Sequence, residues 1–297
     1  MPIFYFVSGY LYSIPSSVNT YITRKLKSLL VPFFVWAFIY YIIWCVFNGG
    51  LSFGPLISIF IYNTHGIPIA GALWFLVSLF CVDLMYLFVD SMVKNTILKL
   101  IVVILLSLFG TFFKQITGIL LPFTIGSSLV GIGFFYFGTV VRNNQKINKI
   151  ISYVENKILI MCLFSVMVIV SIMLNGKVNI RTEEYSFAVL FWINALVSII
   201  IILIISKKIE EKMGNWIPIK ILKKIGFNSI YFLCLNQFII QLYFEICAKI
   251  NQSIHIPKIV VRCSCLLFTV FSIYLISFMI EKIKGVIYLH KKQEERK

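Results

Sequence analysis

Three cations, Arg24, Lys25 and Lys27, stand immediately before an apolar run that begins at Ser28. Such a cluster can hold a loop on the cytoplasmic side of a membrane, and it can take the phosphate groups of a ligand. Asp83 closes the run Leu73-Trp-Phe-Leu-Val-Ser-Leu-Phe-Cys-Val-Asp83. An ionisable group inside a membrane is costly and is a functional suspect by default. The plainer reading places Asp83 near the inner end of its helix, paired with a lysine or wetted by a cavity. His65 lies in Tyr62-Asn-Thr-His-Gly-Ile-Pro68 and is the only histidine before position 255. An imidazole there can act as a general base on a sugar hydroxyl, although a lone loop histidine can equally be ordinary. Trp74 and Phe75 suit stacking on a sugar ring or an interfacial aromatic belt. Ser8, Asn236 and Gln237 are further candidates to line a cavity. Asn228, Ser229, Asn236, Gln237 and Gln241 form a polar series in which positions 229, 233, 237 and 241 share a helix face. They line a cavity or glue helices together. Gly126, Gly131, Gly133 and Gly138 read as close helix packing. Asp90 and Glu245 read as interface or surface residues, and His255 and His290 as loop and tail.

The elements that must carry these residues follow from composition. Of 297 residues 60% are hydrophobic and only 13% charged, with a mean hydropathy of +0.95. A water-soluble domain cannot hide that much apolar surface, so the chain is all-α, a polytopic helical membrane bundle. A span needs about 20 mostly apolar residues. By that measure helices fall near 2–14, 28–47, 71–90, 97–113, 122–141, 157–174, 186–206, 227–248 and 259–280, nine in all. If the loop 15–27 is placed inside and the sides alternate, inner segments hold 21 of the 27 Lys and Arg residues. That bias sets the orientation, with the C-terminus cytoplasmic. The net charge of +16 is spread over short loops, which encodes topology and excludes a nucleic-acid partner. Seven cysteines lie within or at the edges of apolar runs as small hydrophobes, and no metal site has ligand spacing. No Walker loop, Ser-His-Asp signature or dinucleotide fingerprint is present.

The same arithmetic leaves Met1 outside, with no charge before it and a short helix after it. The expectation is an N-terminally shortened form of a ten-helix protein, from a late start codon or a gene fragment. Residues 1–285 read as the transmembrane domain and 286–297 as a cytoplasmic tail. The partly amphipathic segment Ser206–Lys224 reads as lying along the inner interface.

Pro2-Ile-Phe-Tyr-Phe-Val-Ser-Gly-Tyr-Leu11 followed by Thr23-Arg-Lys-Leu-Lys-Ser-Leu-Leu-Val-Pro32 resembles two motifs of the acyltransferase family 3 membrane proteins. Leu73-Trp-Phe-Leu76, Phe134-Phe-Tyr-Phe-Gly138 with Arg142, and Ile225-Gly-Phe-Asn-Ser-Ile230 with Leu233-Cys-Leu-Asn-Gln237 agree in order and spacing. The nearest likeness is to the branch that O-acetylates bacterial surface polysaccharides, including fucose 4-O-acetylase-like proteins. The resemblance implies a bacterial plasma-membrane enzyme that moves an acetyl group from cytoplasmic acetyl-CoA to a hydroxyl of a surface or lipid-linked glycan. Acetyl-CoA would be a co-substrate, with no bound cofactor. It also implies that Arg24 and Lys27 answer to the family's basic acyl-CoA pair, with Lys27 replacing the usual Arg. The family's first-helix Arg and catalytic His have no counterpart here, so the catalytic residue is unassigned, His65 is a weak substitute, and the chain as written can be inactive. The alternative is a transporter or flippase of a lipid-linked sugar, against which no internal symmetry is visible. A vestigial or regulatory membrane protein is the third reading.

Overall fold

The computed structural model describes residues 1–47, 49–61, 70–251 and 257–294. Among these residues seven helices are long and apolar enough to cross a membrane. They are Val18–Phe47, Trp74–Met92, Thr96–Thr117, Pro122–Asn143, Ala188–Met213, Ser229–Lys249 and Ile259–Ile280. An eighth span counts if Gln145–Glu155 and Leu159–Asn175, bent by 96°, are one. These match eight of the nine expected positions. The expected helix over 2–14 differs: α1 runs only Pro2–Tyr10, about 14 Å of rise, too short to cross.

A second correction concerns the basic segment. From Val18 it is helix, where a loop over 15–27 was expected. The chain is helical from α2 (Val18–Lys25) through a π-helical turn (Leu26–Leu30) into α3 (Val31–Phe47). Ser17 caps the start by accepting from the Thr20 N–H at 3.5 Å. No glycine interrupts the run, and the wide π turn lies immediately before Pro32, where a missing N–H and ring crowding would strain an α-helix. Two further helices were not anticipated, α4 (Phe53–Ile61) and the basic amphipathic α8 (Gln145–Glu155). The remaining elements are α5 (Trp74–Met92), α6 (Thr96–Thr117), α7 (Ile125–Asn143), α9 (Ile158–Asn175), α10 (Ala188–Met213), α11 (Ile217–Phe227), α12 (Ser229–Asn251) and α13 (Lys258–Glu294). The expected interfacial segment Ser206–Lys224 is thus the end of α10, a break, and most of α11, whose Trp216, Ile217 and Leu222 are exposed.

The chain forms two compact units, Met1–Gly66 with Trp74–Met213, and Ile67–Leu73 with Gly214–Lys297. In the second unit α12 packs on α13, and Tyr243 and Ser264 hydroxyls meet at 2.5 Å. Lys224 lies over the rings of Tyr274 and Phe278, at 5.2 and 5.0 Å.

In the first unit α7 is the centre: 78% of its membrane window is buried, against 22% for α6. The glycines explain it. A Cβ on Gly138 would overlap the Phe6 carbonyl oxygen and stand 2.6 Å from the Tyr10 nitrogen. One on Gly9 would overlap the Phe135 carbonyl, and one on Gly131 would meet Val82 Cγ2 at 2.8 Å. With no hydrophobic drive between helices in lipid, close backbone approach and buried hydroxyls hold them together. The hydroxyls are Tyr5 and Ser78 at 2.7 Å, then Ser78 and Ser128 at 2.9 Å, which tie α1, α5 and α7. The packing reading of the glycine series is what the structure has.

Besides Lys25 with Asp83, ion pairs among the described residues of this unit join groups that charge counting assigns to one side. Lys99 meets Asp90, and Lys207 meets Glu155, on one side; Lys114 and Lys177 meet Glu184 on the other. These pairings agree with the alternation of sides expected from the loop charges.

Candidate functional site

The end of the unit where α1 stops and α6 and α8 begin carries a polar cavity of about 880 Å³. Its walls include Tyr12, Tyr86, Asp90, Lys99, Arg142 and Lys146. Local structure brings them together. Asn95 caps α6 by accepting from the Ile97 and Leu98 N–H groups, which sets Lys99 one turn in. Asn144 does the same for α8 through Lys146 and Ile147, so Arg142 and Lys146 flank the junction of α7 and α8. Arg142 Nη1 donates to the carbonyls of Tyr10 at 3.3 Å and Tyr12 at 2.7 Å, satisfying the open C-terminal end of α1. Asp90 accepts from the Tyr12 hydroxyl at 3.2 Å and pairs with Lys99. It is therefore a wall of the cavity rather than an incidental interface residue. Three cations against one acid leave the cavity positive, a setting for phosphate or another polyanion.

Deeper in the same unit, Asp83 has no exposed side-chain surface. Tyr21 donates to its Oδ1 at 2.7 Å and Lys25 to its Oδ2 at 2.8 Å. The lysine expected for Asp83 is thus Lys25, and both carboxylate oxygens are used in holding the basic helix to α5. The edge-on rings of Tyr12, Tyr21 and Tyr86 connect this pair to the cavity: Tyr12 lies 6.1 Å from Tyr21 and 5.1 Å from Tyr86. An apolar groove of about 520 Å³ between α6, α7 and α10 adjoins the cavity through Thr96, Tyr136, Val140 and Asn144.

The other predicted residues are placed as follows. Arg24 and Lys27 are exposed, and Arg24 lies 5.5 Å over the Tyr21 ring. Trp74 is buried edge-on to Phe75, and Ser8 is half-buried on α1. In the second unit Asn236 and Gln237 are half-buried, with Asn236 Oδ1 lacking a hydrogen-bond partner among the described residues, and Glu245 is exposed. His65 and His255 lie outside the described residues.

One group went unread in the sequence. Glu183 sits in the hairpin formed by β1 (Val178–Asn179) and β2 (Glu184–Tyr185), at the far end of the unit from the cavity. It is 1% exposed and has φ +55°. The scarcity of acids was the available signal: 11 against 27 cations, with two adjacent here. The hairpin is strapped down: Ser127 Oγ donates to the Ile180 carbonyl at 2.7 Å, and Gln115 to the Tyr185 carbonyl at 2.8 Å. Burial pushes the Glu183 carboxyl up from 4.5 to about 7, offset in part by Lys114 and by the Ser127 N–H. The folded state then holds a proton that the unfolded state releases. The contribution of Glu183 to stability is fully present below about pH 4.5 and is lost as pH rises through about 7, a change on the order of 3 kcal/mol. Thermal unfolding across that window should show the fall, and Glu183→Gln should flatten it; an unchanged slope in the variant would refute the assignment.

Spans packed by glycines and hydroxyls, with a cation-lined cavity at one end, define a polytopic helical membrane protein. Residues 1–278 match the family profile of acyltransferase family 3, described as an acyltransferase domain, and the chain belongs to that family. It is a membrane acyltransferase by that membership, which does not favour the flippase alternative. No curated protein and no solved structure matches the chain.

Proposed function

We propose that this acyltransferase takes an acetyl group from acetyl-CoA at the cation-lined cavity and delivers it to a hydroxyl of a surface or lipid-linked glycan at the opposite face. The observation that carries the reading is the cavity: Lys99, Arg142 and Lys146 against the single acid Asp90, at the side where most of the chain's cations fall. That excess marks the cytoplasmic side of a bacterial plasma membrane, where the thioester is available. In the net reaction the carbon–sulfur bond of the thioester breaks, the acetyl carbonyl carbon bonds to the acceptor oxygen, either directly or after relay on a residue of the enzyme, and the acceptor hydroxyl gives up its proton to a base. The leaving thiolate takes the proton. His65 remains the candidate base within the chain, and it lies outside the described residues.

Two donor sites compete, the cavity and the exposed pair Arg24 and Lys27. With the full chain in lipid nanodiscs, Lys146→Glu should weaken coenzyme A binding about tenfold, the worth of a charge-assisted contact. Arg24→Ala with Lys27→Ala should weaken it as much if the basic helix also touches the donor. Binding that Lys146→Glu leaves intact and the double variant abolishes would move the donor to the basic helix.

A further inference from the structure

An apolar groove of about 520 Å³ runs between α6, α7 and α10 of the first unit. Its mouth is the cation-lined cavity, with which it shares Thr96, Tyr136, Val140 and Asn144. Along α6 it extends from Thr96 to Leu108, about 18 Å of helical rise, and along α7 from Asn144 back to Gly133, about 17 Å. One leaflet of bilayer hydrocarbon is about 15 Å deep. The groove therefore reaches from the interface to the midplane and stops. Trp192 closes the deep end. Its ring stacks on Phe134 at 4.4 Å, and its Nε1–H donates to Thr111 Oγ1 at 3.3 Å. Gly133 leaves the room, since a Cβ there would stand 2.8 Å from Trp192 Cη2. The mouth lies at headgroup level. The helix that starts there, α8, is bent by 96° from α9 and carries Lys146 and Lys149, with Ile150 and Tyr153 exposed. That is the pattern of a basic helix lying in the interface.

We propose that one anionic phospholipid of the adjoining leaflet is seated here, with an acyl chain in the groove as far as Trp192 and its headgroup against Lys146 and Arg142. The walls alone select no occupant, because lipid tails are as apolar as Leu100, Ile104 and Phe137. The charge at the mouth selects one. Lys99 is engaged by Asp90, and Arg142 gives Nη1 to the carbonyls of Tyr10 and Tyr12. Lys146 has no ion pair among the described residues. Cations at a membrane surface attract anionic headgroups, and this one stands at the head of a chain-length groove. A water-soluble polyanion would meet the cations and leave the groove empty. A neutral lipid would fill the groove and gain nothing from the cations. A lipid with a negative headgroup uses both. The seat stands apart from the donor reading. One consequence rests on that reading: the headgroup and the phosphates of coenzyme A draw on the same cations and exclude one another.

The test uses the full chain in phosphatidylcholine nanodiscs. These are doped with phosphatidylglycerol, or with further phosphatidylcholine, carrying a photoactivatable diazirine near the end of one acyl chain. Cross-linked peptides are read by mass spectrometry. At equal doping the phosphatidylglycerol probe should label the stretch 97–108 or Trp192 more than the phosphatidylcholine probe does. Ile104→Trp and Leu100→Trp fill the groove from exposed positions on its wall, so the protein should fold, with an unaltered unfolding temperature as the control. Labelling by phosphatidylglycerol should fall several-fold in each. Lys146→Glu should cut the preference for phosphatidylglycerol about fivefold or more and leave labelling by phosphatidylcholine as it was. Equal labelling by the two lipids, or a preference that survives both tryptophan variants, would overturn the seat. Added coenzyme A should displace the phosphatidylglycerol probe. A preference that coenzyme A leaves unchanged would count against the donor reading and leave the lipid seat standing.

Discussion

Gly138→Val should prevent the first unit from forming. The added Cβ overlaps the Phe6 carbonyl oxygen and crowds the Tyr10 nitrogen, both backbone atoms, so α1 would have to shift bodily off α7. On the other side of that contact Gly9 is pressed against the Phe135 carbonyl, so both helices meet backbone to backbone there. Tyr5, Phe6, Phe134 and Phe135 are all fully buried around the crossing and would lose their packing together. Overpacking usually costs about 1–3 kcal/mol, and this clash with backbone lies at or above the upper end. The expected result is loss of monodisperse protein after extraction, or a large drop in unfolding temperature. Gly226→Ala is the contrast: among the described residues nothing lies within 4 Å of the added Cβ, and alanine in α11 should be neutral or stabilising by up to about 1 kcal/mol. A Gly138→Val protein that melts like the unaltered chain would show that α1 does not lie on α7 as described.

Asp83→Ala should be the next most damaging change. It leaves the Lys25 ammonium and the Tyr21 hydroxyl without their acceptor inside the membrane region. Breaking one side of a buried pair costs about 3–5 kcal/mol, and the lower end applies because Lys25 keeps 20% side-chain exposure and can reach toward water. The double variant Lys25→Met with Asp83→Leu should recover much of the loss, since apolar residues of similar size can replace a buried ion pair. Unfolding measurements on the two single variants and the double would give the coupling. If the effects simply add, the pair is not a structural clamp.

The apolar runs and the side bias of Lys and Arg located nearly every span, because a membrane imposes length and loop charge directly on the sequence. They misplaced the start of α2 because a hydropathy reading stops at Arg24, Lys25 and Lys27, whereas the helix does not: its cations extend outward or, at Lys25, turn inward to an acid. That Asp83 wants a lysine was legible; that the lysine lies 58 positions earlier was not, since only the packing of α2 on α5 pairs them. Asp90 was read as incidental because its partners come from elsewhere in the chain, Tyr12 from the loop after α1 and Lys99 from α6. Glu183 was missed for the same reason. A glutamate in a loop looks solvated until Gly126 and the strap of Ser127 and Gln115 bury it.

The donor cavity is tested most directly from one side of the membrane. Asn143, exposed on its wall, can be changed to cysteine and treated with a membrane-impermeant thiol reagent in sealed vesicles of either orientation. The account predicts modification only where the cytoplasmic face is outward, and protection by acetyl-CoA. Modification from the opposite face, or a rate that acetyl-CoA leaves unchanged, would contradict it.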